Sequence, residues 1–329
     1  MSSVGIIANP AAGKDVRRVV SYTNFTSNVI KSNQIRAIIS GIDSTGVEEI
    51  LIMPDYDFLG QRALMGISGT EIKAKVSMLD MPLEFNGKDS TLAAKLMEKA
   101  GVGCIVTLGG DGTNRDVAKG TRNVPIVPVS SGTNNVFPVL IDPASAGIAA
   151  GIIALNFLKD GKTIRNHKRL VIIKNGQEVD MALVDAVVLD RQFVGSRAFW
   201  DLAEVKQAVC TRAEPHNLGM TRVGGNLHPI GTDEERGIYV KLGEGNVKVK
   251  ASVLPGLISE VSLAELKILK IGESVKVEHK PSVIALDGER ELLVKSSDDA
   301  LIRLQKDGPP VVNIAETLRE AVKKGFFKN

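Results

Sequence analysis

The run Gly-Gly-Asp-Gly-Thr at residues 109–113 is the part of the sequence best suited to phosphate chemistry. It follows an apolar strand predicted over 104–108 and opens a helix predicted over 114–119. Glycines let a backbone approach an anion and adopt positive φ. The N–H groups at a helix start point at phosphate oxygens, and the helix dipole favours the negative charge. The run therefore predicts a phosphate-binding loop, and a tight strand-to-helix turn with no ligand is the alternative.

One acid, Asp111, lies inside this loop. A carboxylate would repel phosphate unless Mg²⁺ sits between them, or unless the carboxylate orients or deprotonates a hydroxyl group for attack. Either role makes Asp111 a candidate catalytic residue, with Mg²⁺ as the expected companion ion.

Length, composition and net charge indicate what kind of protein contains this loop. The chain has 329 residues, which suits two domains of roughly 100–200 residues each. Hydrophobic residues make up 43% and charged residues 24%, as in an ordinary globular protein. The net charge is +3, and no basic run resembles a nucleic-acid-binding arm. A small anionic substrate such as a nucleotide would suit this charge, although a mixed solvated surface explains it equally well.

Cysteine content and hydropathy bear on the expected cellular location of the protein. Cys104 and Cys210 are the two cysteines and give no disulfide framework. The first residues lack a charged segment followed by an apolar one, so no signal peptide is expected. No apolar stretch reaches the roughly 18 residues of a membrane span. The sequence therefore predicts a cytoplasmic protein without a membrane span.

Alternating strand and helix patterns occupy the first half of the chain. The predicted strands span residues 4–8, 35–40, 49–53, 104–108 and 124–129. A helix is predicted over 92–99, with a cap at Asp89 and Ser90. Continuous apolar strands that alternate with helices favour a parallel sheet covered on both faces.

The second half of the chain has a different pattern. Short strands are predicted over residues 169–174, 179–189, 237–242, 247–253 and 274–278. Asn175 and Gly176 form a hairpin signal, and turn residues punctuate the rest, which is typical of an antiparallel β domain. Helices are predicted over 196–209 and 314–324. The domain boundary is placed near Gly161, where an apolar helix ends.

Four sequence elements carry a resemblance to a known superfamily. The run at 109–113 is similar to the signature of NAD kinases, and lipid kinases share its first four residues. Residues 9–14 (Asn-Pro-Ala-Ala-Gly-Lys) resemble the opening motif of diacylglycerol kinases. Residues 130–135 resemble their Gly-Thr-x-Asn-Asp loop, with Asn135 in place of aspartate, and residues 284–289 resemble their late Asp-Gly-Glu element. The sequence is identified as a member of the NAD kinase and diacylglycerol kinase superfamily.

This resemblance implies a fold and a set of site residues. The expected architecture is a doubly wound α/β nucleotide-binding domain over 1–160, an antiparallel β-sandwich substrate domain over 161–300, and a segment over 301–329 that returns to the first domain. ATP and Mg²⁺ are the implied cofactors. Asp111 and Glu289 are the implied catalytic residues, and Asp287 is the implied metal ligand. The implied nucleotide-binding residues are Asn9, Gly13, Gly109, Gly110, Gly112, Thr113, Gly132, Thr133 and Asn134.

The phosphoryl acceptor is less sharply defined. NAD kinases hold adenosine with an Ala-Leu-Asn-Glu segment, and the similar residues here are Ala-Leu-Val-Asp at 182–185, with Asp185 as the acid. Their Thr-Pro-Thr-Gly-Ser-Thr-Ala-Tyr segment is replaced by a polar stretch that contains Arg212, Glu214 and His216. This stretch is predicted to form the acceptor pocket, because long structureless loops in compact domains are more often functional. An ordinary surface loop is the alternative.

The overall pattern most resembles a smaller branch of the superfamily, which includes acetoin-catabolism protein X and ATP- or polyphosphate-dependent NAD kinases. The expected activity is phosphoryl transfer from ATP to a hydroxyl group of NAD or a related small molecule. A lipid kinase and a nucleotide-binding regulator without turnover are the alternatives. The resemblance is also compatible with a homo-oligomer formed through the β domain.

Overall fold

The computed structural model describes residues 1–13, 22, 25–67, 72–132, 135–158, 162–193 and 202–328. The chain divides into two compact units. Unit 1 comprises Met1–Lys14, Phe25–Asn166 and Pro309–Asn329, and unit 2 comprises Asp15–Asn24 and His167–Gly308. The chain crosses back to unit 1 at Pro309, so residues 301–308 belong to unit 2.

A seven-stranded sheet forms the centre of unit 1, in the order β3-β2-β1-β4-β5-β17-β6. Its strands are β1 (Ser3–Ala8), β2 (Glu49–Ile52), β3 (Lys75–Met78), β4 (Cys104–Gly109), β5 (Ile126–Ser130), β6 (Ile164–Asn166) and β17 (Pro310–Val312). All neighbours pair in parallel except β6, which runs antiparallel to β17. The direction of strand succession reverses between β1 and β4, which is where doubly wound sheets bind ligands.

Helices cover both faces of this sheet. They are α1 (Asn28–Asp43), α2 (Leu59–Met65), α3 (Gly87–Lys99), α4 (Asp111–Gly120), α5 (Pro143–Ala154) and α7 (Ile314–Lys323). Side chains of α1, α2, α5 and α7 share one buried cluster with alternate residues of β1, including Val4 and Ile6. On the opposite face Gly5 of β1 lies against Met97 of α3. The doubly wound α/β fold expected for this half is confirmed.

One predicted strand is wrong. Residues 35–40 lie inside α1, which Ser27 caps by accepting a hydrogen bond from the Ile30 N–H group. The buried residues Ile35, Ile38, Ile39 and Ile42 recur at the spacing of one helix face. A short window over this apolar run hides that period, which explains the incorrect assignment.

Unit 2 contains two antiparallel sheets. The six-stranded sheet has the order β12-β11-β10-β9-β14-β15, and the four-stranded sheet has the order β13-β16-β7-β8. The strands are β7 (Arg169–Lys174), β8 (Gln177–Ala182), β9 (Asp185–Leu189), β10 (Val205–Cys210), β11 (Arg236–Leu254), β12 (Leu257–Lys270), β13 (Ser274–Lys276), β14 (Ser282–Leu286), β15 (Glu289–Val294) and β16 (Ala300–Gln305). Asn175 and Gly176 adopt positive φ between β7 and β8, as the hairpin signal predicts.

A shared core joins the two sheets of unit 2. Side chains of β7 and β16, such as Ile172 and Ile302, pack in one cluster with Val188 of β9 and Ile284 of β14. The other face of the six-stranded sheet is covered by the short helix α6 (Met220–Gly225). The expected antiparallel β-sandwich is therefore confirmed.

Two elements predicted in this half are wrong. Residues 179–189 do not form one strand, because the chain turns at 183–184 between β8 and β9. Of the helix predicted over 196–209, residues 205–209 lie in β10, while 194–201 lie outside the described residues. This segment is a strand because it pairs with β9 on one side and with β11 on the other. In the part of the chain that the structure describes, no helix is both long and apolar enough to cross a bilayer.

Candidate functional site

Three loops of unit 1 follow neighbouring strands at the carboxyl edge of the parallel sheet. The first loop (residues 9–13) follows β1, the glycine loop (109–113) ends β4 and enters α4, and the third loop (130–137) ends β5. α4 starts at Asp111, three residues earlier than predicted, with Gly110 at the cap position and no side-chain cap. The glycine loop thus places the first turn of a helix at the point where the strand order reverses, an arrangement suited to binding an anion.

Asn9 joins the first loop to the glycine loop. Its side-chain amide donates to Thr113 Oγ1 at 2.9 Å, and its Oδ1 accepts from the Ala11 N–H group at 2.8 Å. Thr113 is almost completely buried. The hydroxyl oxygen of Thr113 therefore accepts from Asn9, which links the first loop to the glycine loop, and the backbone N–H groups of the glycine loop are candidate donors to phosphate.

Asp111 joins the glycine loop to the third loop. Its Oδ1 accepts from the N–H groups of Val136 at 3.0 Å and Phe137 at 2.8 Å, and its Oδ2 lies 3.1 Å from the Val136 nitrogen. These contacts orient the carboxylate and fix the third loop.

Asn135 holds the interior of the third loop. Its amide group donates to Ser130 Oγ at 2.8 Å, and that hydroxyl group donates to the Gly132 carbonyl at 2.5 Å. A Cβ atom on Gly110 would lie 2.8 Å from Asn135 Oδ1. An aspartate at this position would lack the amide donor, which gives the departure from the superfamily pattern a physical role. Thr133 and Asn134 lie outside the described residues.

Gly13 brings the first loop against the third loop. Its φ is +70°, and a Cβ atom would lie 2.9 Å from Thr26 Cβ and 3.1 Å from the Ser131 carbonyl oxygen. Gly132 in turn lies against the Gly13 Cα. These contacts bring the three loops together, and with them the predicted site residues Asn9, Gly13, Gly110, Asp111, Thr113 and Gly132. Gly109 and Gly112 belong to the same glycine loop as Gly110.

We expect Gly13→Ala to weaken ADP binding about tenfold, since left-handed backbone costs an alanine roughly 1–2 kcal/mol and the added methyl group must displace the third loop. Isothermal titration of ADP measures the change. Gly46→Ala is the matched control, because Gly46 has φ +84° and open space around its Cβ position. Equal losses of affinity in both variants would contradict a specific role for the contact at Gly13.

The predicted acceptor residues lie in unit 2, at one end of the six-stranded sheet. Asp185 starts β9 and pairs with Cys210 at the end of β10, two residues before Arg212. Asp287 occupies the turn between β14 and β15, next to Glu289, and its N–H group donates to the Asp185 carbonyl at 3.0 Å. The structure therefore brings Asp185, Arg212, Asp287 and Glu289 to a common edge.

Asp287 is tied to the turn between β8 and β9. Its buried carboxylate Oδ1 accepts from the N–H groups of Leu183 at 3.0 Å and Val184 at 2.7 Å, with Asp185 at 3.3 Å. The residue has φ +51°, in the left-handed region. Its metal role stays a prediction, and any bound cation would share this carboxylate with the backbone hydrogen bonds.

The polar segment after β10 has more structure than a surface loop. Ala213 bridges Ile230 in antiparallel fashion, and α6 lies between them. Arg212 is buried, with its Nη2 3.3 Å from His167 Nδ1, whereas Glu214 is half-buried and His216 is exposed. His167 has no local sequence signal and was not among the predicted residues.

Lys168 adds a second buried cation beside Arg212, which sequence reasoning also missed. Its ammonium group donates to the carbonyl oxygens of Gly231 at 3.0 Å and Arg236 at 2.7 Å. Burial, reinforced by the charge of Arg212, lowers the pKa of Lys168 to about 8. The folded state therefore releases this proton at a lower pH than the unfolded chain does.

We expect the unfolding free energy of the wild type to rise by about 2 kcal/mol relative to Lys168→Met between pH 7.5 and 9.5. The folded-state pKa is depressed below that of the unfolded chain, so the unfolded state binds more protons in this window and stability rises with pH. Urea titrations at both pH values measure the difference. A difference that is flat with pH would contradict the perturbed lysine.

Metal ligands are sparse in both units. The described residues contain no group of three or more His, Cys, Asp or Glu side chains arranged to hold a metal ion. Mg²⁺ is usually bound by one or two carboxylates together with substrate phosphates, so it needs no preformed protein cage. Asp111, placed inside the glycine loop, fits this kind of shared Mg²⁺ site.

Two family models match the chain, one in each unit. Residues 4–154 match the ATP-NAD kinase N-terminal domain, and residues 168–307 match the acetoin catabolism protein X C-terminal domain. Together with the doubly wound sheet and the glycine loop, these matches define the class as the NAD kinase and diacylglycerol kinase superfamily.

A curated relative narrows this class. The chain is 34% identical to acetoin catabolism protein X of Cupriavidus necator, over 97% of this chain and 92% of the relative. The chain therefore belongs to the acetoin catabolism protein X family. Among solved structures, a diacylglycerol kinase from Bacillus anthracis str. Sterne matches with a TM-score of 0.43 and 13% identity, covering 94% of this chain and 96% of that chain.

Proposed function

We propose that this protein is an ATP-dependent phosphotransferase with an alcohol group as acceptor. The observation that carries the proposal is the contact of three loops around the N-terminus of α4, through Asn9, Gly13 and Asp111. Phosphoryl transfer needs little covalent help from the protein, because its transition state spreads charge over several oxygens. Fixed backbone donors and one oriented carboxylate supply the required positioning and electrostatic stabilisation.

Each loop has a separate task in this proposal. The N–H groups of Gly109, Gly110, Gly112 and Thr113 bind the donor phosphates, while Asn9, Gly13 and Gly132, with Thr133 and Asn134, complete the nucleotide pocket. Asp111 orients the acceptor hydroxyl group or takes its proton. In unit 2, Glu289 is the proposed further catalytic residue and Asp287 the proposed metal ligand.

The described residues fit a nucleotide phosphate. Gly13 and Gly110 allow the loops to pack more closely than a Cβ atom would permit, and the buried Ser131 Oγ has no hydrogen-bond partner among the described residues. Mg²⁺, when bound with ATP, would neutralise phosphate charge. Asp287 is the proposed metal ligand, and holding Mg²⁺ is the alternative to a role for Asp111 at the acceptor hydroxyl group.

NAD or a related small molecule is the proposed acceptor, which would place the protein in NADP formation. Asp185, Arg212, Glu214 and His216 are the proposed acceptor residues. Asp185 suits a ribose hydroxyl group and Arg212 an anionic group. The relative is named for acetoin catabolism, and acetoin carries a hydroxyl group, so small hydroxylated molecules are a further proposed acceptor class. A cytoplasmic location is part of the same proposal.

A coupled ADP-release assay with Mg²⁺-ATP tests the function. The acceptor panel contains NAD, NADH, small diols and polyols, and diacylglycerol in vesicles, and polyphosphate replaces ATP in a parallel series. Release that depends on NAD or a soluble alcohol supports the proposal. Release only with diacylglycerol would identify a lipid kinase, and no release with any acceptor would contradict catalysis.

Nucleotide binding without turnover is the second candidate. Asp111 and Asp287 both use carboxylate oxygens to hold backbone N–H groups, which is what a purely structural acid would do. Isothermal titration with ATP and NAD separates the two candidates. Tight binding together with a silent acceptor panel would favour the regulator.

A further inference from the structure

We propose that Arg222 and Asn217 form an anion-binding subsite in unit 2, which selects acceptors that carry a phosphate or carboxylate group. This inference rests on the proposed function. Asn217 lies in the connection that leads into α6, and Arg222 is the third residue of that helix. Both residues belong to the polar segment after β10, the segment that also contains the predicted acceptor residues.

Backbone contacts place both residues near Glu214, one of the predicted acceptor residues. The Asn217 N–H group donates to the Glu214 carbonyl at 3.0 Å. A Cβ atom on Gly225 would lie 2.5 Å from the Glu214 carbonyl carbon, so the end of α6 packs directly against Glu214. Arg222 precedes Gly225 by three residues, which puts these two residues on the same side of the helix. The subsite therefore adjoins the proposed acceptor pocket.

Both side chains carry hydrogen-bond donors that the protein itself leaves unused. The Arg222 Nε and Asn217 Nδ2 atoms are buried, and neither has an acceptor in the part of the chain that the structure describes. The half-buried Arg222 guanidinium group also forms no ion pair with any described residue. A buried donor without an acceptor costs about 1–3 kcal/mol, and a partly desolvated charge without a counter-charge adds to that cost. A ligand that supplies negatively charged acceptor oxygens would remove both costs.

The donor types define the chemistry of this ligand. A guanidinium group only donates and is always charged, and its planar fork matches the paired oxygens of carboxylate and phosphate groups. Glu214 suits a hydroxyl group of the same molecule, because an ionised carboxylate only accepts. A neutral diol offers acceptor lone pairs but no charge to balance Arg222. Alcohols with an anionic group, among them NAD with its pyrophosphate, are therefore favoured over neutral diols and polyols.

Isothermal titration of pyrophosphate and of malonate, each in the presence of saturating ADP, tests the subsite in the full chain. ADP occupies the glycine loop of unit 1, and the two anions distinguish a phosphate group from a carboxylate group. We expect Arg222→Met to weaken binding of the preferred anion tenfold or more, which corresponds to about 1.4 kcal/mol. Its unfolding free energy in urea should stay equal or rise, because the substitution removes a half-buried charge without a counter-charge.

Arg303→Met is the matched control. Arg303 is also a half-buried arginine of unit 2, but it lies in the four-stranded sheet and donates to Ser274 Oγ at 3.0 Å. The anion affinity of this variant should stay at the wild-type value.

The outcomes separate this inference from the proposed function. If wild type binds neither anion, or if a stable Arg222→Met variant binds as wild type does, the subsite is refuted, and ADP release with a neutral diol would still support the proposed function. If Arg222→Met is destabilised or does not fold, Asn217→Ala decides. A loss of affinity of about threefold or more in Asn217→Ala supports the subsite, and unchanged affinity overturns it. Failure of the proposed function shows separately, as the absence of ADP release with every acceptor.

Discussion

Asp111→Asn will lower kcat by at least ~10²-fold, the usual scale for a positioned acid–base group, and will leave ATP affinity nearly intact. Asp111 Oδ1 accepts both the Val136 and the Phe137 N–H groups, and an asparagine oxygen can take the same place. The substitution therefore removes the charge and the proton-accepting ability while it retains the link to the third loop. Steady-state kinetics with the acceptor found in the ADP-release screen, together with titration of ATP, measures both quantities.

Asp111→Ala is the companion variant. It removes the link to the third loop as well as the charge, so we expect ATP affinity to fall together with kcat. Unchanged turnover in Asp111→Asn would refute the catalytic role of the carboxylate. Equal losses of ATP affinity in both variants would show instead that Asp111 serves the binding of ATP.

Asp287→Ala will destabilise unit 2 by about 3 kcal/mol or more. The variant leaves the N–H groups of the buried residues Leu183 and Val184 without their acceptor, and bonds to charged groups contribute roughly 1.5–3 kcal/mol each. Alanine is also strained at the left-handed φ of this turn. The unfolding free energy from urea titration provides the measurement.

Asp287→Asn separates this structural role from metal binding. Its side-chain oxygen can accept the bonds that Oδ1 accepts, and asparagine tolerates left-handed backbone. We therefore expect a smaller loss of stability. If Asp287 also holds Mg²⁺, this folded variant should need more Mg²⁺ for half-maximal activity, and an unchanged Mg²⁺ requirement would remove Asp287 from the metal site.

Local sequence patterns predicted the secondary structure correctly where the hydrophobic period was clear and turn-forming residues marked the ends of the elements. The glycine run after a buried strand located the glycine loop, and Asn175 with Gly176 located a hairpin. They failed at residues 35–40, where a short apolar window concealed a helical period, and at 205–209, where pairing with β9 and β11 overrode a helical pattern. Distant pairing partners are not visible in a local window.

The sequence predicted the loops of the candidate site, but it did not predict which side chains support them. Glycine and Asn-Pro signals located the loops, because those residue types are required by turn geometry. Nothing local distinguishes the buried Lys168 from a solvent-exposed lysine, since burial depends on how the whole unit packs. The engagement of Asp287 by Leu183 and Val184 likewise joins residues that lie far apart in the chain.

The position of β17 has a consequence for biosynthesis. This strand lies between β5 and β6 in the sheet of unit 1, yet the chain of unit 2 is synthesised before it. On the ribosome, Ile126 of β5 and all three residues of β6 therefore lack their pairing partner until residues 310–312 emerge. Translation must pass the entire β-sandwich before the sheet of unit 1 can be completed, so nascent chains arrested within unit 2 would present an open strand edge that invites aggregation.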